Sequence, residues 1–253
     1  LALVDEVIVR DWSEIQDLPP EAFVREELMR ELGARGVVVG PDHRFGHRAA
    51  GDVALLLRLG QATGLSVLVV EPLRIGGEVV SAKRIRTLVR AGRVKEATAL
   101  LGRPPVLFAN PVRGAGLARK LGYPTINLEP WEGLVRPGFG VYLAWAYWAS
   151  AEGGSPALFY IGNRPTFPDL PPTAELHLLE QARCLPYFEQ ASSMAGILPA
   201  LFEVEVHLLE FLRRDERFPS AQALAQQIAH DRAEAERRLA MLPQPKPVMR
   251  NKP

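Results

Sequence analysis

Cysteine is almost absent: Cys184 is the single one in 253 residues. No disulfide can close within the chain, and this usage fits a reducing compartment, read here as the cytoplasm. Neither sign of charge is in excess. Thirty basic residues (30) face 29 acidic ones, a net charge of +1, which argues against a nucleic-acid or membrane surface as partner. Long apolar runs are missing too. Residues 141–149, VYLAWAYWA, come nearest, but they are too short to cross a bilayer and read as a buried strand. Asp5 and Glu6 interrupt the first apolar segment, so no secretory leader is read there. A first residue Leu1 in place of methionine points to a longer parent chain. What remains is an ordinary globular composition, 47% hydrophobic and 23% charged, long enough for one large or two ordinary domains.

The patterning changes once along the chain. VDEVIV at 4–9 reads as a buried strand. Pro19, Pro20 and Glu21 then open a helix running to Leu32, with Phe23, Leu28 and Leu32 at helical spacing and Gly33 closing it. GVVVG at 36–40 is a short β-branched strand, Asp52–Leu59 begins a helix, and LSVLVVE at 65–71 is a third strand. Strands alternating with helices predict a parallel α/β sheet. Two short helices are expected at Lys83–Arg90 and Val94–Leu101. Arg103-Pro104-Pro105 then breaks the pattern and sets the expected boundary, giving domains 1–102 and 103–242. Beyond it, strands at Val106–Phe108, Gly140–Trp148, Ala157–Ile161, Ala174–Glu180 and Phe202–Leu209 follow one another without helices, which predicts an antiparallel barrel. Ser220 is a natural N-cap for a helix to Leu242. The proline-rich 243–253 reads as a disordered tail.

Chemistry concentrates in residues 112–128, VRGAGLARKLGYPTINL. Gly114, Gly116 and Gly122 make a loop whose backbone N–H groups can wrap phosphate, with Arg119 and Lys120 adding positive charge. Thr125 and Asn127 are two apart, so in an extended segment they share one face. A hydroxyl and an amide oxygen there suit a hard cation such as magnesium beside a nucleotide. The plainer reading is a loop and turn between strands.

LGYPTINL resembles the Gly-Phe-Pro-Thr-x-Asn signature of riboflavin kinases, and four further matches follow in order. PGFGVY at 137–142 is similar to the family's Gly-Val-Tyr strand, and IGNRPTF at 161–167 to its Ile-Gly-x-x-Pro-Thr-Phe segment. ELHLLE at 175–180 is similar to Glu-x-His-Leu-Leu-Asp, and LRRDERF at 212–218 to Leu-Arg-x-Glu-x-Lys-Phe. The resemblance implies an ATP:riboflavin phosphotransferase on a six-stranded-type barrel. It implies Gly114, Gly116, Arg119, Lys120, Gly122 and Thr125 around the phosphates, Thr125 and Asn127 on magnesium, and Glu175 as base toward the ribityl 5′-hydroxyl. Asn163, Arg164, Arg213 and Phe218 are the implied flavin contacts. For Asn163 and Arg164 a turn-capping role is the alternative, and for Phe167, Phe218 and Tyr142 a core role. EVHLLE at 205–210 nearly repeats the 175–180 pattern. Glu175 is preferred because it directly follows IGNRPTF, and that choice implies an enlarged connection across 181–201. Leu117 and Ala118 stand where the family often has Arg-Gly.

The front half resembles the FMN adenylyltransferase module of bacterial bifunctional FAD synthetases. VVGPDHRFGHRAAGD at 38–52 is similar to its Gly-x-Asp-x-Arg-Phe-Gly…Gly-Asp segment, placing Asp42, Arg44, Phe45 and Gly46 near a flavin. VSAKRIR at 80–86 resembles Ile-Ser-Ser-Thr-x-Ile-Arg, placing Ser81, Arg84 and Arg86 near ATP phosphates, although Ala82 and Lys83 depart from it. The family's His-x-Gly-His segment is absent from this sequence, so an incomplete Rossmann-like nucleotidyltransferase domain without adenylyl transfer is expected. His43 and His47 have no third ligand at a usual metal spacing and read as loop histidines. The expectation is therefore a riboflavin kinase using Mg2+, ATP and riboflavin and releasing FMN. Its nearest enzyme rival is the full bifunctional FAD synthetase, with FMN adenylyltransferase activity in the complete protein, and its rival from another class is a catalytically weakened flavin- or nucleotide-binding module. No nucleic-acid or membrane partner is expected, and oligomeric state is not legible.

Overall fold

The computed structural model describes residues 4–114, 117–148, 153–180 and 203–248, with the side chains of Leu117 and Lys120 also outside the description. Gly116, Cys184 and the expected enlarged connection 181–201 therefore lie outside the described residues. Contacts divide the chain into two compact units, Leu1–Val80 and Ser81–Pro253.

In the first unit, Asp11 caps a one-turn helix α1 (Trp12–Ile15), its carboxylate accepting from the Ser13 amide at 2.8 Å. Helix α2 (Pro20–Ala22) starts with proline in its first turn, where the missing N–H costs nothing, and continues as wider π-type turns over Phe23–Glu31. Strand β1 (Gly36–Val39) pairs in parallel with β2 (Ser66–Val69), with Gly36 opposite Ser66. Between them runs α3 (Val53–Thr63), opened by Asp52, which accepts from the Leu55 amide at 2.8 Å, and closed by left-handed Gly64. Val24, Phe45, Leu56 and Leu65 form the core of this unit. The α/β reading holds here, but as only two described strands. The expected strand at 4–9 does not form: residues 4–10 are all exposed, Val9 at 89%. A β-branched run supplies propensity, but a strand needs a neighbour to receive its backbone bonds. Strands β3 (Arg74–Ile75) and β4 (Glu78–Val79) make a hairpin turning on Gly76 and Gly77, whose φ values of 58° and 81° suit the twist of a two-residue turn.

The second unit opens with α4 (Ala82–Arg90), capped by Ser81, and α5 (Val94–Leu101), closed by left-handed Gly102. Then come β5 (Val106–Val112), a short helix α6 (Leu117–Lys120), β6 (Ile126–Pro130), β7 (Gly140–Trp148), β8 (Ser155–Gly162), β9 (Thr173–Leu178), β10 (Val204–Arg214) and α7 (Ala221–Leu239). The six strands close into an antiparallel barrel in the order β10-β5-β6-β9-β8-β7. Period-two alternation sorts its side chains. Leu107, Ile126, Tyr142, Phe159, Leu176 and Val206 fill the interior, while Val141, Leu143, Leu158 and Leu209 pack outside with Ala235 and Leu239 of α7. Ser220 caps α7 as expected, accepting from the Ala223 amide at 3.1 Å.

Three further features differ from the sequence reading. β6 is a strand absent from the expected set, and it carries Asn127. Helices α4 and α5, expected in the first domain, belong to the barrel unit. Val94 joins the inner cluster, and Lys95 Nζ lies 2.7 Å from Glu210 Oε1 on β10. Residues 243–248, expected to be disordered, are tied down: Gln244 Nε2 donates to the Gly153 carbonyl at 2.6 Å, and the Val248 amide to Glu205 Oε1 at 2.5 Å. Tyr147 donates its hydroxyl to the Pro245 carbonyl. Barrel side chains thus satisfy a backbone that has no regular partner of its own.

Candidate active site

Ile126 and Leu128 point into the barrel, so Asn127 between them points out. On β9, Ala174, Leu176 and Leu178 point in and Glu175 points out. Asn127 and Glu175 are directly opposed across the β6–β9 pair. Thr125, just before β6, donates its hydroxyl to Glu175 Oε2 at 2.8 Å. The three groups therefore meet on one outer rim because of register and alternation alone.

Arg164 completes the cluster. Its Nε and Nη2 donate to Glu175 Oε1 at 3.1 and 2.7 Å, and Nη2 also reaches Asn127 Oδ1 at 3.2 Å. Thr173 donates to the same Asn127 oxygen at 3.3 Å. The Arg164 and Glu175 side chains retain only 12% and 15% exposure, so this ion pair is well shielded. Arg164 has φ 50°, a left-handed conformation uncommon for a residue with a Cβ. Its amide donates to the Tyr160 hydroxyl at 2.9 Å, and its carbonyl accepts from the Phe167 amide at 2.7 Å. These bonds hold the turn in place.

Tyr160 in turn donates to Asp215 Oδ1 at 3.0 Å, and the Asn163 amide donates to Asp215 Oδ2 at 3.0 Å. Burial pushes the Tyr160 hydroxyl above the ordinary tyrosine range, which keeps it a donor. Gly162 is required beside this carboxylate, because a Cβ there would stand 2.3 Å from Asp215 Oδ2. His177, next outward on β9, sets its Nδ1 2.9 Å from the Pro124 carbonyl. Burial pulls its pKa below the usual histidine value, so the neutral ring donates from Nδ1 to that carbonyl.

Thr125, Tyr160, Arg164, Glu175 and His177 line one pocket, whose remaining walls include Val141, Leu158, Phe218 and, from α7, Leu224 and Ile228. Arg213 closes one side. It is paired with Asp231, Nη2 to Oδ2 at 2.8 Å, and its guanidinium carbon lies 5.4 Å from the Phe218 ring centre. The pocket thus joins an oxygen-rich rim to an apolar and aromatic cleft, a form suited to a ligand with a flat ring and a polar tail.

Of the sequence-derived site residues, Thr125, Asn127, Arg164 and Glu175 come together in one hydrogen-bonded cluster, and Arg213 and Phe218 line the same pocket. Asn163 is exposed and uses its backbone. Gly114 lies against Asn127: a Cβ there would stand 1.9 Å from Asn127 Nδ2. Gly122 turns at φ 86°, and Arg119 is exposed. Glu205 sits elsewhere, buried at 1% exposure with its Oε1 2.5 Å from His207 Nε2. Sequence reasoning assigned no role to Tyr160 or Asp231, and Asp215 stood only as a motif match. Nothing local marks them, since α7 and β8 deliver them from far along the chain.

In the first unit, Phe45 is core, with ring centres 5.8 Å from both Phe23 and His43. Asp42 is exposed, and Arg44 Nη1 lies 4.0 Å from Asp52 Oδ2. Gly46, at φ 74°, lets the loop approach Pro20, where a Cβ would stand 2.8 Å from the ring. Ser81, Arg84 and Arg86 belong to the second unit: Ser81 caps α4 by accepting from the Arg84 amide at 3.3 Å, and Arg86 is exposed. Among the described residues no group of three metal-ligating side chains forms, and no helix is long and apolar enough to cross a membrane.

A family model described as riboflavin kinase matches residues 101–239, and one described as FAD synthetase matches residues 2–84. The chain belongs to the riboflavin kinase family. It is 31% identical over 229 residues to the bifunctional riboflavin kinase/FMN adenylyltransferase of Escherichia coli K12, covering 90% of this chain and 68% of that one. The same-named protein of Pseudomonas fluorescens is also 31% identical, over 92% of this chain and 70% of its own length. This chain thus spans about two-thirds of these riboflavin kinase family members. A solved structure titled as a macrolide-efflux protein from Streptococcus pneumoniae shares the fold, with a TM-score of 0.69 at 24% identity over 87% of this chain and 66% of that one.

Proposed function

We infer that this chain is a riboflavin kinase, transferring the γ-phosphate of ATP to the 5′-hydroxyl of riboflavin to give FMN and ADP. The observation that carries the reading is the Thr125–Asn127–Glu175 cluster on the rim of a cleft with an aromatic wall. Phosphoryl transfer needs positioned phosphates, compensation of developing charge, and a group to take the proton of the attacking hydroxyl. Glu175 supplies the last. Its Oε2, held by the Thr125 hydroxyl, stands at the pocket wall, where it can accept the ribityl 5′-proton.

The Thr125 hydroxyl and Asn127 amide oxygen would hold Mg2+, and Gly114 leaves the space that lets the Asn127 amide lie there. When bound, that ion would offset the negative charge of the nucleotide phosphates. Gly114, Gly122 and Arg119 are assigned to the phosphates, and Gly116 and the Lys120 side chain, outside the described residues, are assigned there by the motif alone. Phe218 and Arg213, stacked on one another, flank the flavin ring, with Asn163 at its edge. The reaction runs in the cytoplasm. FMN adenylyltransferase activity is not assigned to this chain, because its sequence contains no His-x-Gly-His segment.

Incubation with riboflavin, ATP and Mg2+, followed by chromatographic separation of the flavins, tests the reading. FMN without FAD is the expected result. FAD as well would return adenylyl transfer to the front half. Absence of both, with riboflavin still bound, would overturn the kinase in favour of a binding module.

A further inference from the structure

The Arg164 guanidinium occupies the space between the Asn127 oxygen proposed to hold the metal and the second oxygen, Oε1, of the carboxylate proposed to take the proton. One nitrogen, Nη2, is shared by Glu175 Oε1 at 2.7 Å and Asn127 Oδ1 at 3.2 Å. That is the position a cation takes when two oxygen ligands converge on it. A divalent ion on Asn127 and a guanidinium on the same oxygen repel each other strongly in a shielded site. Both cannot use Asn127 Oδ1 at once.

We propose that Arg164 is a positioning residue that acts as the resting counter-ion of the metal subsite. It holds Asn127 and Glu175 in place without ligands and is displaced from Asn127 when the metal–nucleotide arrives. The inference rests on the kinase reading and replaces the expected role of Arg164 as a flavin contact. Two observations beyond the shared nitrogen support it. The Asn127 bond is the longer of the two, so it is the one that yields, while the two-nitrogen grip on Glu175 persists. The backbone of Arg164 is held left-handed by the Tyr160 hydroxyl and the Phe167 amide, so the arginine is presented from a fixed turn.

The consequence is a competition that can be read without turnover. If the resting guanidinium occludes the subsite most of the time, removing it raises metal–nucleotide affinity by the inverse of the open fraction, on the order of threefold to tenfold. Mn2+ with ADP, titrated into the full chain and followed by the electron paramagnetic resonance of free Mn2+, gives that affinity directly. Arg164→Met should bind Mn2+–ADP more tightly than the wild type, while turnover falls because Glu175 loses its brace. Arg164→Lys, which keeps a point charge but not the fork, should return the affinity toward the wild-type value without restoring full turnover. A raised riboflavin KM in Arg164→Met with unchanged Mn2+–ADP affinity would overturn the proposal and restore the flavin contact. Weaker Mn2+–ADP binding in that variant, with an unchanged melting temperature, would overturn it too. Wild-type FMN formation, measured in parallel, separates these failures from failure of the kinase reading itself.

Discussion

At the residue scale, two glutamates with nearly identical sequence surroundings are distinguished by position. Glu175 lines the pocket and bonds Thr125 and Arg164, whereas Glu205 lies beneath the C-terminal segment with His207 and the Val248 amide. Glu175→Gln should therefore lower kcat for FMN formation by about 10²-fold or more, the usual contribution of a positioned base. Glu205→Gln should leave kcat close to wild type, and a reversed ranking would move the base. Asn127→Ala should abolish Mg2+-dependent turnover while the melting temperature stays near that of the wild type. His177 gives a pH prediction. Burial lowers its folded-state pKa below the ordinary 6.5, so the unfolded chain takes up the proton first as pH falls. Stability is then fully present above that value and declines as pH drops below it. Urea unfolding at about pH 7.5 and about pH 5.5 should show the loss, and His177→Gln should reduce it. That the Thr-x-Asn pair shares a face was legible from alternation, and Glu175 was preferred over Glu205 only by its order after the IGNRPTF segment. Tyr160, Asp215 and Asp231 were not legible, because their relevance arises only where β8, β10 and α7 converge.

At the scale of elements, β10 redirects its second half. Its pairing with β7 carries two register shifts, between Leu208 and Glu210 and between Phe211 and Arg213. Such bulges re-aim the side chains that follow. Glu210 consequently meets Lys95 of α5 and Arg238 of α7, each at 2.7 Å, and Arg213 turns to the pocket. Burial works to raise the Glu210 carboxyl, but the bonds from Lys95 and Arg238 outweigh it and hold it below the usual range. Glu210→Gln should cost about 2 kcal/mol, the scale of hydrogen bonds to a charged partner, read as a lowered urea midpoint. The strands themselves were largely legible from alternation, α3 and α4 from their place between the strands and the barrel, and α7 from its Ser220 cap. A one-residue bulge leaves no signature in alternation this short, and β6 was hidden by the turn residues that precede it.

At the scale of the whole molecule, the division at Val80 and Ser81 assigns α4 and α5 to the barrel unit. Val94, 1% exposed, and Lys95 join that pair to β10. A fragment of residues 81–253 should therefore be more stable than one of residues 103–253. The difference should be at least about 2 kcal/mol, the scale of one fully buried aliphatic side chain, and equal midpoints would return the boundary to 102. The sequence alone determined the family, the change from α/β to barrel, and the residues of the rim, because ordered motifs and period-two alternation are local properties of the chain. The missing strand at 4–9, the helices gained by the barrel and the docked 243–248 segment were decided only by tertiary structure. So was the guanidinium between Asn127 and Glu175. Each of these depends on whether a partner from elsewhere in the chain receives the exposed backbone or charge, and no local pattern encodes that partner.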